Sequence, residues 1–346
     1  MLLKCLTLFL SGFSVPPRKV YCLIVGKIKK RYLTYKIFHR KIKKSLYLQP
    51  MKLLNYLLFY GFLIPLSFLP MKVLYCISDI VKFILYNLIG YRKKVVMENL
   101  SRSFPEKSQK ELKEIADKFY SHLADLFLEA VKMLTISKKN LMKRYKCTNS
   151  ELISKYYKQN KSIILVSAHY NNWEYMVASL GMQFDFHAIG VGKRMSNKAF
   201  EELMHKKRTR YGTEVCYADN SRKVFEQYHN TKTCAYMLLS DQSPNDKNKC
   251  YWIDFLNQKT AFIYGCEYFA KKYDYPVFFY KVRKIKRGYY EFEIEEVATQ
   301  PQETEYGFIV EKSANILENL IKEAPQYWLW SHRRWKLKYE QINNYE

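Results

Sequence analysis

Residues 161–176 read KSIILVSAHYNNWEYM, in which an apolar run leads into a histidine and then a polar turn. The apolar run 163–168 predicts a buried strand, and the residues from Asn172 onwards predict a helix. Asn171 or Asn172 is the expected cap of that helix, because asparagine accepts hydrogen bonds from first-turn amides. His169 therefore lies at the carboxyl end of a strand, where open α/β sheets place their sites.

Strand-like and helix-like segments alternate along the rest of the chain. This alternation predicts an α/β fold with a mixed, mostly parallel sheet covered by helices. Upstream, Ser108 and Glu111 have the spacing of a capping box, which predicts a helix start. The predicted strands are 186–192, 214–218, 234–242, 276–285 and 289–297; the predicted helices are 172–182, 198–212, 221–230, 261–274 and 304–324, with a loop from 243 to 260.

The charge of the chain is strongly basic and unevenly distributed. The 346 residues have a formal net charge of +26, which favours an anionic partner such as nucleic acid, an acidic membrane surface or an acidic protein. Residues 1–50 contain Lys and Arg but no Asp or Glu. We interpret them as a basic leader, an upstream extension before a start at Met51.

Residues 51–94 have the composition of a membrane-associated segment. The stretch 53–71 is uncharged and long enough for a bilayer core, but Pro65 and Pro70 strain a helix there. It therefore fits either a membrane span or a helix lying in one leaflet. Residues 73–91 look amphipathic and end in Arg92–Lys94, which suits the cytoplasmic side. The alternative is that both stretches are core helices of a soluble protein.

The eight cysteines show no C-x-x-C pair and no Cys/His cluster with zinc-ligand spacing. We interpret them as free thiols in a reducing compartment. A nucleophilic role for Cys266 is not expected, because no histidine lies beside it in sequence.

His169 and Glu174 are the candidate catalytic pair. If the chain turns back after His169, the Glu174 carboxylate can hold one imidazole nitrogen protonated and leave the other as a base. A histidine pKa near 6.5 suits proton removal from a hydroxyl near neutral pH. Chance spacing is the alternative interpretation of this pair.

Two later stretches carry further candidate residues. SDQSPND, residues 240–246, puts Asp241 at the end of an apolar strand, although such a segment is also typical of a turn. PQYWLWSHRRWKLK, residues 325–338, interleaves aromatic and basic side chains. Guanidinium groups bind phosphate or carboxylate and aromatic rings can stack on bases, so this segment fits an anionic lipid, nucleic acid or a solvated tail.

Several segments, taken in order, resemble the bacterial lipid A biosynthesis (lauroyl/myristoyl) acyltransferase family. The similarity runs from about Met51 to Lys338. HYNNWE looks like the His-x-x-x-x-Glu signature of that family, which other glycerolipid acyltransferases share. The other similar segments are SDQSP, FLNQKTAFIYG, YWLWSHRRWK and NLSRSFPEKSQKELKEI, the last leading to Glu129.

The resemblance implies a glycerolipid-acyltransferase-like fold from 95 to 340, with His169 as general base and Glu174 as its partner. It implies a basic residue before the Asp-Gln pair, which is Arg208 or Arg210. Asn171 departs from the family, which more often has glycine there; we expect it to cap the helix. The implied substrate-binding residues are Arg208, Arg210, Asp241, Gln242, His332, Arg333 and Arg334.

The implied reaction moves a fatty acyl chain from acyl-carrier protein or acyl-CoA to a lipid A precursor hydroxyl, at the cytoplasmic face of the inner membrane. It requires no cofactor and no metal. One alternative is acylation of another membrane lipid, such as a lysophospholipid or an aminolipid. The other is a basic nucleic-acid-binding protein, which the uncharged stretch 53–71 disfavours; no nucleic acid partner is expected.

Overall fold

The computed structural model describes residues 56–195, 197–244 and 250–339. The basic leader 1–50 and the first residues of the uncharged stretch lie outside this part. The chain divides between Pro65 and Leu66 into two compact units. Leu57–Leu63, in the first unit, forms a π-helical segment.

The second unit contains a seven-stranded sheet whose strand order is β1-β9-β8-β2-β5-β3-β4. Every neighbouring pair is parallel except β8 with β9. The predicted mixed, mostly parallel sheet is therefore confirmed. The strands of this sheet are β1 (Tyr145–Cys147), β2 (Ile163–Ser167), β3 (His187–Gly192), β4 (Glu214–Tyr217), β5 (Cys234–Leu239), β8 (Val277–Lys286) and β9 (Tyr289–Ala298).

Helices surround this sheet. They are α1 (Ile64–Phe68), α2 (Met71–Phe83), α3 (Lys93–Ser103), α4 (Gln109–Lys132), α5 (Lys138–Arg144), α6 (Glu151–Lys158), α7 (Trp173–Gln183), α8 (Lys198–Arg208), α9 (Ser221–Tyr228), α10 (Gly265–Tyr273) and α11 (Phe308–Glu323). A π-helical segment, Ile84–Leu88, continues α2. Short 3-10 turns lie at Pro301–Glu303 and Pro325–Tyr327.

β2 is the strand that positions the candidate site. All five of its residues are buried, and it pairs with β5 on one side and with β8 on the other. Helices α10 and α11 both pack against it. A strand enclosed in this way is apolar throughout, which is why its sequence signal is so clear.

The capping box at the start of α4 is confirmed. The Ser108 hydroxyl accepts from the Glu111 amide, and the Glu111 carboxylate accepts from the Ser108 amide. The thiols of Cys76, Cys147, Cys216, Cys234 and Cys266 are free, as expected. Burial raises the pKa of the Cys266 thiol to about 12, so this thiol does not ionise near neutral pH.

A β-hairpin replaces much of the loop predicted between 243 and 260. Strands β6 (Cys250–Phe255) and β7 (Gln258–Ile263) pair antiparallel, and the helix expected from 261 begins at Gly265. The two turn residues, Leu256 and Asn257, both have positive φ. This is a tight hairpin turn without the glycine that usually marks one, so the sequence signal was missing.

Within the described part of the chain, no single helix has both the length and the apolar character needed to cross a bilayer. Met71–Leu88 and Lys93–Ser103 pass that test only together, as a pair bent by 86°.

Candidate active site

His169 and Asp241 form the centre of the candidate site. Each follows its strand by two residues, and β2 and β5 pair in a register that puts Ser167 beside Leu239. Extending that register puts His169 beside Asp241. The His169 Nδ1 and Asp241 Oδ1 atoms are 2.7 Å apart, and the His169 amide donates to Asp241 Oδ2 at 2.9 Å.

Asp241 is ionised in this environment. Burial would raise the pKa of its carboxyl group, but His169 and the hydrogen bond from the Trp328 indole outweigh burial and lower the pKa to about 2. The Trp328 Nε1 atom donates to Oδ2 at 2.9 Å. An ionised Asp241 can only accept hydrogen bonds, so Nδ1 of a neutral His169 ring carries the proton and Nε2 carries the lone pair.

Two further side chains contact the His169 ring. The Gln242 amide nitrogen lies 3.0 Å from Nε2, and because Nε2 accepts, the amide donates. The Trp173 ring meets the imidazole edge-on, with centroids 5.3 Å apart. The ring is therefore held on both nitrogens and along one side.

The expected hydrogen bond between His169 and Glu174 is not present, because each residue has a different partner. Glu174 is paired with Arg208 through two hydrogen bonds of 2.7 and 3.1 Å. Burial would raise the pKa of Glu174, but Arg208 outweighs burial and holds it below the usual 4.5. Asp241, from the neighbouring strand, has the orienting position expected for Glu174.

The two asparagines before α7 have distinct roles. Asn172 is the cap, because its side chain accepts from the Tyr175 amide at 2.8 Å. Asn171 is not the cap: its φ is +54°, and its amide group donates to the Val282 carbonyl. A left-handed backbone at this position is one that glycine and asparagine adopt more readily than other residues.

Glu129 of α4 stabilises this turn through a hydrogen bond with Asn172. It is fully buried and accepts hydrogen bonds from Asn172 and from the hydroxyls of Tyr75 and Tyr290. Burial raises the pKa of Glu129, against the lowering effect of the Tyr290 and Tyr75 hydroxyls. Since Asn172 also caps α7, Glu129 helps to fix the helix that carries Glu174.

Arg210 lies outside the site. Its guanidinium donates to the carbonyls of Met133, Leu134 and Ile136, just beyond α4, and so satisfies acceptors that the helix end leaves open. Of the two candidate arginines, Arg208 is the one that contacts Glu174. The sequence did not show which of the two arginines contacts Glu174, because they are near neighbours. In the structure, α8 ends at Arg208, and Arg210 lies beyond the helix.

The segment 325–335 is not a solvated tail. Trp328 and Trp330 are buried, and Trp328 forms an isolated bridge with Tyr170. The Asn99 amide group donates to the carbonyls of Trp330 and His332. These contacts bring residues 328–332 to the His169–Asp241 pair.

His332 and Arg334 enter the site, whereas Arg333 is exposed. The Ser243 amide donates to His332 Nε2 at 3.2 Å, and burial lowers the pKa of His332 to about 4, so its ring is neutral. Arg334 is 2% exposed, with its guanidinium over the Phe262 ring. Among the described residues, its Nε and Nη2 atoms have no hydrogen-bond partner.

Burial lowers the pKa of Arg334 to about 10, and Asp241 acts in the opposite direction. Arg334 therefore stays charged near neutral pH. A buried charge with unmatched donors is unusual, because it leaves a desolvation penalty that a salt bridge would offset.

Sequence reasoning missed Trp328 and Trp173 as parts of the site. The sequence pattern of 325–338 predicts aromatic rings that can stack on bases, but the Trp328 indole is a hydrogen-bond donor to Asp241. A buried tryptophan usually finds a partner for its N–H group, and that was the available signal. Which partner it finds depends on the fold.

Comparison with known proteins identifies the family of the chain. No match is found among curated individual proteins. One family, described as bacterial lipid A biosynthesis acyltransferase, matches residues 40–337. That range is well over half of the chain and contains every residue of the candidate site, so the chain belongs to the bacterial lipid A biosynthesis acyltransferase family.

Proposed function

We propose that this acyltransferase transfers a fatty acyl chain from an acyl thioester to a hydroxyl group of a lipid A precursor, with His169 as the general base. The observation that carries the proposal is the hydrogen bond between His169 Nδ1 and Asp241. It keeps the proton on Nδ1, so Nε2 carries the lone pair that can accept a hydroxyl proton.

The acceptor hydroxyl gives its proton to Nε2 of His169, and its oxygen attacks the thioester carbonyl carbon. The carbon–sulfur bond then breaks, and the imidazolium returns the proton to the leaving thiolate. Asp241 stabilises the imidazolium between these steps, as the carboxylate does in a Ser-His-Asp triad. The proposed base and its orienting partner are His169 and Asp241, in place of the expected His169 and Glu174.

The carbonyl oxygen gains negative charge during attack and requires preorganised donors. The amides of Trp173 and Glu174 are candidates, because they belong to the first turn of α7, just after His169. The buried pair of Glu174 with Arg208 keeps this helix start in place. Arg210 is not proposed for this role, since its guanidinium binds carbonyls beyond α4.

Arg334 is proposed to bind an anionic group of a substrate. Its guanidinium is buried, interacts electrostatically with Asp241, and has unmatched donors among the described residues. A phosphate oxygen of the acceptor lipid or of the acyl donor would satisfy such donors.

We propose that the enzyme works at the cytoplasmic face of the inner membrane, where acyl thioesters are made. Phe68, Ile80, Phe83 and Leu88 are each more than half exposed, and Lys93 and Lys94 are exposed close by in sequence. Apolar side chains next to lysines suit the interface of an anionic bilayer.

Mass spectrometry of lipid A from cells with and without the protein tests the acceptor. We expect lipid A to lack one acyl chain without the protein or with the variant His169→Ala. Lipid A that stays complete in deletion cells would contradict this acceptor. Changed lysophospholipids or aminolipids in the same extracts would then identify another membrane lipid as the acceptor.

A further inference from the structure

The Gln242 side chain is hydrogen-bonded to Nε2 of His169, the nitrogen that acts as the base. Its amide nitrogen is 3.0 Å from Nε2 of His169, while Asp241 binds Nδ1 at 2.7 Å. Gln242 directly follows Asp241, so the end of β5 supplies both the group that orients the base and the group that covers it. The lone pair of Nε2 is therefore engaged before any acceptor arrives.

An acceptor must displace this amide before it can give its proton to His169. A water molecule that displaces the amide gains only the hydrogen bonds that it forms itself. A lipid acceptor also gains the contacts of its acyl chains and polar groups, and that binding energy offsets the lost Gln242 contact. The hydrogen bond from Gln242 therefore opposes water more effectively than it opposes the lipid.

We propose that Gln242 is a specificity-determining residue that keeps water away from Nε2 of His169 and so suppresses hydrolysis of the acyl donor until the acceptor lipid binds. This inference rests on the proposed role of His169 as general base. It does not depend on which membrane lipid is the acceptor.

The suppressed reaction is hydrolysis of the thioester. Water would give one proton to Nε2, its oxygen would bond to the carbonyl carbon, and the carbon–sulfur bond would break. The proton on His169 would pass to the thiolate, so the products are a free fatty acid and a thiol. No further reactant is required.

The variant Gln242→Ala tests the proposal on the full chain. A net hydrogen bond of ordinary strength changes the occupancy of the lone pair by about 2- to 12-fold. With lauroyl-CoA as probe and no acceptor, we expect thiol release to rise by about that factor. With saturating acceptor lipid, the ratio of hydrolysis to transfer should also rise.

Two further variants separate this role from a structural one. The double variant His169→Ala with Gln242→Ala should lose the additional hydrolysis, because that hydrolysis uses the same base. Gln242→Glu keeps the size of the side chain but replaces the donor with an acceptor. It should hold a proton on Nε2 and slow both hydrolysis and transfer near neutral pH. Thermal unfolding midpoints identify any variant that folds poorly.

Unchanged or slower hydrolysis in well-folded Gln242→Ala protein would overturn the proposal. So would additional hydrolysis that persists without His169. The test is separate from that of the proposed function: a wild-type enzyme that does not acylate lipid A precursors would contradict the acceptor, while faster hydrolysis in Gln242→Ala would still support the role of Gln242.

Discussion

His169 and Asp241 lie side by side because β2 and β5 are neighbours in the sheet. The two residues are 72 positions apart in sequence, the same offset that pairs Ile163 with Ala235 along the strands. The bond between His169 Nδ1 and Asp241 Oδ1 therefore continues the alignment of the sheet beyond its last ladder hydrogen bond. A site built in this way is as rigid as the sheet that carries it.

Replacing Asp241 with asparagine should inactivate the enzyme without unfolding it. The asparagine amide can donate to Nδ1, which would move the imidazole proton to Nε2 and remove the base. We expect kcat to fall by about 10²- to 10⁴-fold with little change in KM. Asp219→Asn, at an exposed aspartate, is the control. A kcat within a factor of a few of wild type would rule out an orienting role for Asp241.

Removing one partner of the Glu174–Arg208 pair should destabilise the fold. The two side chains are 12% and 19% exposed, so either one alone would be a largely buried, unpaired charge. Glu174→Ala and Arg208→Ala should each lower the unfolding free energy by about 3 kcal/mol. The double variant should lose much less than the sum of the two.

The matched control is the Arg194–Asp219 pair, which is 57% and 65% exposed. Exposed ion pairs contribute about 0–1 kcal/mol, so its single variants should be close to wild type in denaturant unfolding. Equal losses for the two pairs, or additive losses within the buried pair, would count against this account.

Arg334→Gln should raise KM much more than Arg333→Gln, although the two residues are adjacent. Hydrogen bonds to charged groups have a net strength of about 1.5–3 kcal/mol, so Arg334→Gln should raise the KM of a phosphate-bearing substrate about 10- to 150-fold. Arg333 is exposed, and its variant should change KM by no more than about 3-fold.

Steady-state kinetics against donor and acceptor separately would show which substrate carries the anion. A rise in the KM of the acceptor assigns it to the lipid, and a rise in the KM of the donor assigns it to the thioester carrier. Equal KM values for the two variants would argue against an anion site at Arg334.

His332 should make the stability of the protein depend on pH between about 4 and 6.5. Burial lowers its pKa to about 4 from the ordinary 6.5, so across this range the folded state binds fewer protons than the unfolded state. The free energy of unfolding is therefore highest above pH 6.5 and decreases as the pH falls towards 4.

His332→Gln does not titrate, and its side-chain oxygen can still accept from the Ser243 amide. Its unfolding free energy should lose about 1–2 kcal/mol less than that of wild type from pH 6.5 to 4, allowing for partial exposure of His332. Denaturant unfolding at several pH values would measure this. Parallel curves for the two proteins would mean that another group titrates.

Ile80→Ser with Phe83→Ser should weaken attachment to membranes. Both side chains are more than half exposed, and burial of an apolar side chain contributes about 1.5–3 kcal/mol when complete. Partial burial should still give about a 10- to 100-fold loss in partitioning to phospholipid vesicles. Flotation in high salt would measure it, with Tyr306→Ser as an equally exposed control. Release of the wild-type protein by salt alone would leave only electrostatic attachment.

Local features of the fold were predictable from the sequence because neighbouring residues determine them. The apolar run of β2 identifies a buried strand, and the capping box at Ser108 and Glu111 identifies a helix start. The same local patterns put His169 and Asp241 each at the end of a strand. The hairpin of β6 and β7 was not predicted, because its turn at Leu256 and Asn257 lacks a recognisable local signal.

The partners of the site residues depend on how distant segments pack together. Glu174, five residues from His169, was the expected partner, but it pairs with Arg208 from the end of α8. Asp241 binds His169 because β5 is the parallel neighbour of β2. Trp328 reaches Asp241 because its backbone forms a bridge with Tyr170, which follows His169. Hydrogen bonds act over about 3 Å, whatever the separation along the chain. Local sequence patterns therefore show which side chains stand at strand ends, whereas the order of the strands sets which of these side chains meet.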